Sequence, residues 1–254
     1  MNEPRQTRQL TDYAFFFDID GTLAPFQTVP QDVSIPSHVI GQLGILRDRL
    51  GGALAFVSGR PLEQIDTLTR PLQAGAAGIH GAEIRTLDGK VTRASIDTQQ
   101  LSQIEQMLAE QTRALKGVLI EKKSVAFALH YRQAPDAQQP LQALANTVVD
   151  RYPDFKVQAG KCVWEIKPRS CDKGKAIRFL MASAPFFGRI PVFLGDDITD
   201  EAGFRYVNQQ QGVSIKIGAG ESEATHRIAG VTQVYEWLDD LINYKINIDS
   251  LRSV

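Results

Sequence analysis

The sequence predicts an α/β protein, with a doubly wound and mostly parallel sheet interrupted by an inserted α+β module. Over residues 1–95, short apolar runs alternate with amphipathic helical patterns, which is typical of a parallel sheet covered by helices. From about residue 96 the order changes to αββαββ, which favours an antiparallel sheet with helices on one face. The first pattern returns at about residue 172, so the module is an insertion.

The predicted core begins with an aromatic run at Tyr13–Phe17, which we interpret as a buried strand because it is short and apolar throughout. A helix opened by Ser34 and Pro36 follows, with an apolar stripe at Val39, Leu43, Leu46 and Leu50. The next expected elements are a strand at Ala53–Val57, a helix through Leu62, Ile65 and Leu68, a strand near Ala76–Ile79 and a hairpin turning at Asp88-Gly89.

The inserted module has two helical stripes and two pairs of strands. The stripes are Leu101, Ile104, Leu108, Leu115 and Leu141, Leu144, Val148, Tyr152. The strands are expected at Val118–Lys122, Val125–Tyr131, Phe155–Gln158 and Cys162–Lys167. We therefore predict a core domain of residues 1–95 and 172–254, and an inserted cap domain of residues 96–171.

The second part of the core has the same strand–helix rhythm as the first. Its elements are expected as a helix at Gly174–Met181, a strand at Pro191–Leu194, a helix near Asp200–Val207, a strand at Val213–Ile217 and a last helix through Trp237, Leu238, Leu241 and Ile242. The tail after Tyr244 has no strong pattern, and we expect it to be weakly ordered.

Composition narrows the class of protein. The 254 residues carry 28 Lys+Arg against 29 Asp+Glu, a net charge of −1, which argues against bulk nucleic-acid binding. Two cysteines are too few for a disulfide framework or a zinc site. No apolar run reaches the roughly 18 residues of a membrane span, and the polar first thirteen residues have no signal-peptide core. We expect a cytoplasmic protein without membrane or nucleic-acid partners.

Two acidic segments follow predicted core strands. Asp18 ends the first strand, and Asp20 and Gly21 come directly after it. Asp196 and Asp197 follow a later strand in the same way. Because open α/β sheets bind ligands at the carboxyl ends of their strands, these carboxylates are expected to converge on Mg²⁺. The alternatives are an acidic turn for the first segment, favoured if it stood alone, and a helix N-terminus for the second, which we accept for Thr199 and Glu201.

Two further positions are suited to a phosphate group. Ser58 and Gly59 follow the second strand, where a hydroxyl and free backbone amides before a helix bind anions. An N-cap serine is the structural alternative, and both interpretations can hold together. Lys173 precedes a predicted helix, where a cation opposes the helix dipole, so a role in neutralising phosphate is favoured.

The four motifs Asp18-x-Asp20-Gly-Thr, Ser58, Lys173 and Gly-Asp196-Asp197 resemble, in order, those of the haloacid dehalogenase-like phosphohydrolases. Within that superfamily, the chain over roughly residues 13–242 resembles the free-standing bacterial trehalose 6-phosphate phosphatases. The signatures of that family appear as Ser58-Gly59-Arg60, Gly78-Ile79-His80-Gly81-Ala82-Glu83, His130-Tyr131-Arg132, Glu165-Ile166-Lys167-Pro168, Lys173-Gly174 and Gly195–Glu201.

The resemblance implies roles for the acidic residues. Asp18 would attack phosphorus and form an aspartyl-phosphate, and Asp20 would serve as acid and then as base. Mg²⁺ would bind the Asp18 carboxylate, the Asp20 backbone carbonyl and Asp196. The resemblance places the remaining groups around these: Asp197 and Asp200 orient the ligands, Lys173 and Ser58 stabilise transferring charge, and the phosphate site comprises Asp18, Ile19, Asp20, Gly21, Ser58, Gly59 and Lys173.

Sugar recognition is expected to come from the cap and one core loop. In the family, residues matching Glu121, Lys123 and Glu165 bind the distal glucose hydroxyls, which suits carboxylate acceptors and an ammonium donor. The alternative, a solvated charged face, is favoured for Lys122 and Lys167. Residues of two family signatures complete the expected sugar site, namely His80, Gly81 and His130. For His130, packing within the cap is an equal alternative. The sequence decides no role for Arg132.

The sequence therefore predicts a Mg²⁺-dependent phosphatase that acts on trehalose 6-phosphate. Two alternatives stay open: the same chemistry on another sugar phosphate, such as sucrose or glucosylglycerol phosphate, and a catalytically silent sugar-phosphate-binding module. We expect a monomer, with functional coupling to a trehalose-phosphate synthase left open.

Overall fold

The computed structural model describes residues 8–27, 32–160, 162–246 and 248. Its larger sheet has eight strands in the order β12-β11-β10-β1-β2-β3-β4-β5. Their bounds are β1 Tyr13–Phe17, β2 Leu54–Val57, β3 Gly75–Gly78, β4 Glu83–Arg85, β5 Val91–Arg93, β10 Ile190–Gly195, β11 Val213–Ile217 and β12 His226–Ile228. All neighbours run parallel except β3 with β4 and β4 with β5, so the predicted parallel core is confirmed.

Helices cover this sheet. The chain winds outward from β1 in both directions, so its crossovers cover both faces. Helix α1 packs against α7, and α5 packs against α6. The core helices are α1 Ser37–Arg49, α2 Leu62–Thr69, α5 Lys173–Met181, α6 Glu201–Gln209 and α7 Val231–Ile242. The aromatic run of β1 is buried along its whole length, as its continuous apolar pattern requires.

The cap forms a second, separate sheet. Helices α3 (Thr98–Thr112) and α4 (Gln138–Arg151) alternate with strands β6 (Leu119–Lys123), β7 (Ala126–His130), β8 (Phe155–Gly160) and β9 (Val163–Pro168). All pairs are antiparallel, in the order β6-β7-β9-β8. The predicted αββαββ order is therefore confirmed, while the boundaries at residues 95/96 and 171/172 stay a prediction.

Several details differ from the sequence-based expectations. Strand β12 at the sheet edge was not predicted, because three residues with one apolar side chain give no strand pattern. Helix α3 ends before Leu115, and α5 begins at Lys173 itself. Among the described residues, no helix combines the length and apolarity that crossing a membrane requires. Most of the tail after Tyr244 lies outside the described residues.

Candidate active site

The point where the winding of the core sheet reverses lies between β1 and β10, and two acidic segments meet there. Asp18 follows β1, and its backbone N–H donates to the carbonyl of Leu194 in β10. Asp196 follows β10. Strand ends that flank a reversal leave a crevice at their carboxyl edge, so the two carboxylates face one opening, as the sequence predicted.

A buried lysine joins two of these carboxylates. The Nζ atom of Lys173 lies 2.8 Å from an oxygen of Asp18 and 2.6 Å from one of Asp200. All three side chains are buried. Burial opposes the charge of Lys173, but Asp18 and Asp200 outweigh it and raise the pKa of the ammonium above its usual range. Lys173 is therefore held as a cation beside Asp18.

Local sequence fixes where Lys173 sits. Asp172 caps helix α5 by accepting the backbone N–H of Lys175 at 2.8 Å. The helix then begins at Lys173, and the lysine side chain is directed to the carboxylates. A free cation at a helix N-terminus is unfavourable. The two carboxylates offset that cost, so its placement there serves the site.

Asp200 is a hub that orders the second acidic segment. One of its oxygens accepts from Lys173, and the other accepts the backbone N–H groups of Asp196 and Asp197, each at 2.9 Å. Both oxygens are thus engaged. The geometry fits the orienting role expected of Asp200, and Asp197 contributes chiefly as the cap of the following turn.

The carboxylates form a cluster that fits a divalent cation. Oxygens of Asp18, Asp196 and Asp200 all lie within 4.8 Å of one another. One oxygen of Asp196 is buried and has no hydrogen-bond partner among the described residues. Burial, reinforced by Asp200, raises the pKa of Asp196 to about 7, and burial raises that of Asp18 despite Lys173. A bound cation would relieve this unfavourable concentration of negative charge.

Asp20 faces the same opening but is paired with an arginine. Arg60 donates to both carboxylate oxygens of Asp20, through Nε and one Nη, each at 2.7 Å. Such a two-point contact fixes orientation as well as charge. The sequence placed Arg60 in a signature but gave it no role, because two segments 40 residues apart reveal their contact only in the folded chain.

Two glycines are required by close approach near the segments predicted to bind phosphate. A Cβ on Gly21, whose φ is +83°, would lie 2.2 Å from an oxygen of Asp196. A Cβ on Gly59 would lie 2.8 Å from the ring of His80. Ser58 is buried, and its hydroxyl accepts the backbone N–H of Arg60 at 3.2 Å. The Ser58–Arg60 loop is thus compact, with its small residues against the site.

The cap presents a second cluster of charges. Nε2 of His80, from the core, lies 2.5 Å from an oxygen of Glu165, and Lys123 lies 3.0 Å from the other oxygen. Lys123 also donates to the carbonyl of Gly59 at 3.3 Å. Glu121, on the same strand as Lys123, pairs with Nε2 of His130 on the neighbouring strand β7 at 2.9 Å. The expected sugar-binding side chains are therefore brought together at the seam of cap and core.

Their environment sets their charges. Burial works against ionisation of Glu165, but His80 and Lys123 outweigh it and hold its pKa well below the usual range. Burial lowers the pKa of His80 to about 4, against the opposing effect of Glu165. His80 is thus neutral at pH 7, and Nε2 carries the proton because a carboxylate can only accept. Burial opposes the charge of Lys123 too, but Glu165 and Glu121 raise its pKa.

One cavity of about 300 Å³ contains both clusters. Its walls include most of the expected site residues, namely Asp18, Asp20, Ser58, Gly59, His80, Glu121, Lys123, His130, Glu165, Lys173, Asp196 and Asp197. The cavity wall does not include four others, Ile19, Gly21, Gly81 and Asp200. These four lie behind it, so any part they play is through the backbone or through a neighbour.

The sequence assigned Lys122 and Lys167 to a solvated charged face and left the role of Arg132 undecided. Lys122 is exposed and pairs with Glu105, as expected of a solvated face. Lys167, given the same interpretation, is only 2% exposed, so that prediction is wrong. Lys167 lies on the same face of its strand as Glu165, towards the core domain. The alternation of residues along the strand already contained that signal. Arg132 bridges cap and core by donating to the carbonyl of Gln27.

Sequence reasoning also missed Lys216 of β11. Its ammonium donates to the backbone carbonyls of Asp196 and Ile217 and is largely buried. It therefore fixes the backbone at the second acidic segment. A strand lysine flanked by apolar residues gave no hint of this in the sequence.

The fold of this chain is the one found in haloacid dehalogenase-like hydrolases. A haloacid dehalogenase-like hydrolase from Bacteroides thetaiotaomicron superimposes with a TM-score of 0.64 at 14% identity, covering 90% of this chain and 99% of its own. The C-terminal domain of the Candida albicans trehalose-6-phosphate phosphatase reaches 0.82 at 22% identity, with 92% of each chain covered. At these identities the likeness shows the fold.

The chain belongs to the trehalose-phosphatase family, whose model matches residues 16–234. It is similar to the trehalose-6-phosphate phosphatase of Escherichia coli strain K12, with 44% identity over 241 residues. That alignment covers 94% of this chain and 91% of the relative.

Proposed function

We propose that this protein hydrolyses trehalose 6-phosphate to trehalose and inorganic phosphate in a Mg²⁺-dependent reaction. One observation carries the proposal: a single cavity is bounded by the Asp18–Lys173 pair on the core side and by Glu121, Lys123 and Glu165 on the cap side. The first set suits a phosphate ester, and the second suits sugar hydroxyls. Membership of the trehalose-phosphatase family supports the choice of sugar.

The reaction has two balanced steps. An oxygen of Asp18 attacks phosphorus as the bond from phosphorus to the sugar oxygen breaks, and protonated Asp20 donates its proton to that oxygen. Water then attacks the aspartyl-phosphate, and Asp20 takes a proton from it. Phosphate leaves and the Asp18 carboxylate is restored. Arg60 donates to both oxygens of Asp20 in the resting protein, so Asp20 carries the proton of the first step only once that pair opens.

Charge on the transferring phosphoryl group is balanced by fixed donors. Lys173 stays protonated beside Asp18, and Ser58 and Gly59 line the same cavity. Asp18, the backbone carbonyl of Asp20, and Asp196 would hold Mg²⁺, with Asp200 orienting the segment. When bound, the cation neutralises negative charge on the phosphate oxygens and between the carboxylates.

The sugar would contact the cap. Ionised Glu121 and Glu165 accept hydrogen bonds from vicinal hydroxyls, and Lys123 donates to them. His80 and His130 each hold one of these carboxylates, so they shape the sugar site from its sides. Because these groups occupy the cap, an ester without a distal sugar loses their contacts but keeps those of the core.

We also propose that the protein acts as a monomer in the cytoplasm. Every group named in the reaction lies on one chain around one cavity, so catalysis needs no second copy. Cys162 and Cys171 are both free thiols, in keeping with a reducing compartment. Coupling to a trehalose-phosphate synthase is tested by co-purification of the two proteins.

Phosphate release from trehalose 6-phosphate, sucrose 6-phosphate and glucose 6-phosphate tests the function, with Mg²⁺ and with a chelator. We expect Mg²⁺-dependent release that favours the trehalose ester. Preference for another ester would keep the chemistry and change the sugar. No release from any ester, with binding of trehalose 6-phosphate detected by calorimetry, would show a binding module instead.

A further inference from the structure

A second buried ammonium group lies beside the acidic cluster, near the carboxyl end of β11. Lys216 is only 6% exposed, and it is in register with Gly195, the last residue of β10. Its Nζ atom donates to the backbone carbonyl of Asp196, which follows β10, and to that of Ile217 at 3.0 Å. The side chain thus reaches from the end of one strand to the segment that follows its neighbour.

Packing alone does not account for a lysine at this position. Among the residues that the structure describes, its hydrogen bonds go to neutral carbonyl groups. An ammonium ion that is taken out of water and given only such partners is costly. An apolar side chain, like those of Ile215 and Ile217 on the same strand, would avoid that cost. We therefore look for the purpose of Lys216 in the acidic segment that it contacts.

Asp196 is held on both sides of its Cα atom. Its N–H group donates to Asp200 at 2.9 Å, and its carbonyl accepts from Lys216. One oxygen of its carboxylate, in contrast, is buried and has no hydrogen-bond partner among the described residues. The other oxygen lies so close to Gly21 that a Cβ there would come within 2.2 Å of it. The backbone is therefore anchored, while a carboxylate oxygen is left for a ligand.

We propose that Lys216 is a positioning residue for Mg²⁺ binding: by holding the carbonyl of Asp196, it keeps the Asp196 carboxylate beside that of Asp18 before the cation arrives. This inference rests on the proposed function, because it takes Mg²⁺ as the ligand of the cluster. It goes further by assigning the affinity for that cation in part to a residue that does not line the cavity and has no oxygen to offer a metal.

The effect follows from the arrangement of like charges. Oxygens of Asp18, Asp196 and Asp200 lie within 4.8 Å of one another, and their mutual repulsion favours separation of the side chains. Without Lys216, the carbonyl of Asp196 is a buried acceptor that lacks its donor, so the peptide group gains by turning towards water. Binding of the cation must then restore the original arrangement, which weakens binding.

The charge of Lys216 by itself acts in the opposite direction. A positive group near the cluster repels a second cation, so removal of the charge alone would strengthen binding of Mg²⁺. Removal of the hydrogen-bond donor would weaken it. The sign of the change in affinity therefore distinguishes a positioning role from a purely electrostatic one.

Calorimetric titration of the full-length protein with Mg²⁺ alone measures this sign. For Lys216→Met we expect the dissociation constant for Mg²⁺ to rise about tenfold, and Lys216→Arg, which still donates, should recover most of the loss. Arg189→Met is the matched control, because Arg189 also donates to two backbone carbonyls, but at the start of β1 and away from the cavity. An unchanged or lower dissociation constant in Lys216→Met would overturn the proposal.

Steady-state kinetics with p-nitrophenyl phosphate separates binding of the cation from the chemistry. Lys216→Met should need about ten times more Mg²⁺ for its half-maximal rate. Its kcat at saturating Mg²⁺ should stay within about twofold of the wild-type value. A fall in kcat that saturating Mg²⁺ does not restore would contradict the proposal and assign Lys216 a general structural role.

Hydrogen exchange in the wild type is a test that needs no variant. The N–H groups of Asp196 and Asp197 should be protected before Mg²⁺ is added, since the segment is held in place without the cation. Rapid exchange of both groups in the absence of Mg²⁺ would overturn the proposal even if Lys216→Met does not fold. If the wild type binds Mg²⁺ but hydrolyses no ester, the proposed function fails, and the calorimetric comparison still decides the role of Lys216.

Discussion

The two sides of the cavity are built differently. On the core side, Asp18, Lys173 and Asp200 are buried, and the backbone N–H groups of Asp196 and Asp197 complete the network. On the cap side, side chains of strands β6, β7 and β9 pair mainly with one another and with His80. A network anchored in backbone cannot change without damage to the chemistry, whereas side-chain pairs on strands can be replaced to suit another sugar.

The largest effect should come from the core network. In Asp18→Asn the nucleophilic carboxylate is lost, so we expect turnover of every phosphate ester to fall by at least about 10,000-fold. Phosphate release from trehalose 6-phosphate and from p-nitrophenyl phosphate measures this. Asp48→Asn, at an exposed ion pair, is the matched control and should keep wild-type rates. Retention of activity on either ester by Asp18→Asn would remove Asp18 from the reaction.

The contact between core and cap should appear in the pH dependence of stability. The folded-state pKa of His80 is about 4, below its ordinary 6.5, so the folded state binds fewer protons than the unfolded state between these values. Stability is therefore lost as pH falls from 6.5 towards 4, by about 3 kcal/mol in the free energy of unfolding, half of it by pH 5.

Urea unfolding of the wild type and of His80→Asn at pH 6.5, 5 and 4 measures this difference. Asparagine tolerates the positive φ of 53° at this position and does not titrate. The pH-dependent loss should be smaller in the variant by the amount given above. Parallel curves for the two proteins would mean that His80 is not held neutral at the seam.

A cap residue should affect one substrate selectively. Glu165→Gln removes the negative charge of a carboxylate that accepts hydrogen bonds from His80 and Lys123. We expect kcat/KM for trehalose 6-phosphate to fall about 100-fold. Turnover of p-nitrophenyl phosphate should change less than about threefold, because that ester has no distal sugar. The exposed Glu105→Gln is the control, and equal losses on both esters would contradict the division between core and cap.

The smallest effect is expected on the outer face of the cap sheet. Lys122 pairs with Glu105, and both side chains are more than 40% exposed. Such pairs contribute little, so Lys122→Met should change stability by less than about 0.5 kcal/mol and kcat/KM less than about twofold. Thermal unfolding and steady-state kinetics test both. A tenfold loss of kcat/KM would show that strand parity does not separate sugar-binding from solvated residues.

Local sequence patterns predicted many of the strands and helices of this molecule. The features that were not predicted depend on contacts between residues that are far apart in the sequence. The aromatic run of β1 and the alternation of β7 placed those strands, because burial imposes a period on each. The pairing of Asp20 with Arg60 was not accessible, since a loop must fold back to bring those side chains together.

Lys167 shows a second limit of sequence reasoning. Lys167 shares strand parity with Glu165, but parity does not say what covers that face of the strand. In the folded chain the side chain is only 2% exposed. Strand β12 was not predicted, because its three residues lack the length that a periodic signal needs.

The pairing of Glu165 with His80 and of Lys123 with Gly59 has a thermodynamic consequence. These polar groups are already satisfied before any ligand arrives, so a sugar exchanges one set of hydrogen bonds for another. Calorimetry should then record a modest enthalpy of binding. The same pairing makes discrimination between sugars strong, even though the enthalpy of binding is modest. An analogue that displaces these partners and lacks a matching hydroxyl leaves a buried charge without a hydrogen-bond partner. The protein therefore discriminates against such an analogue far more strongly than its affinity for the correct sugar suggests.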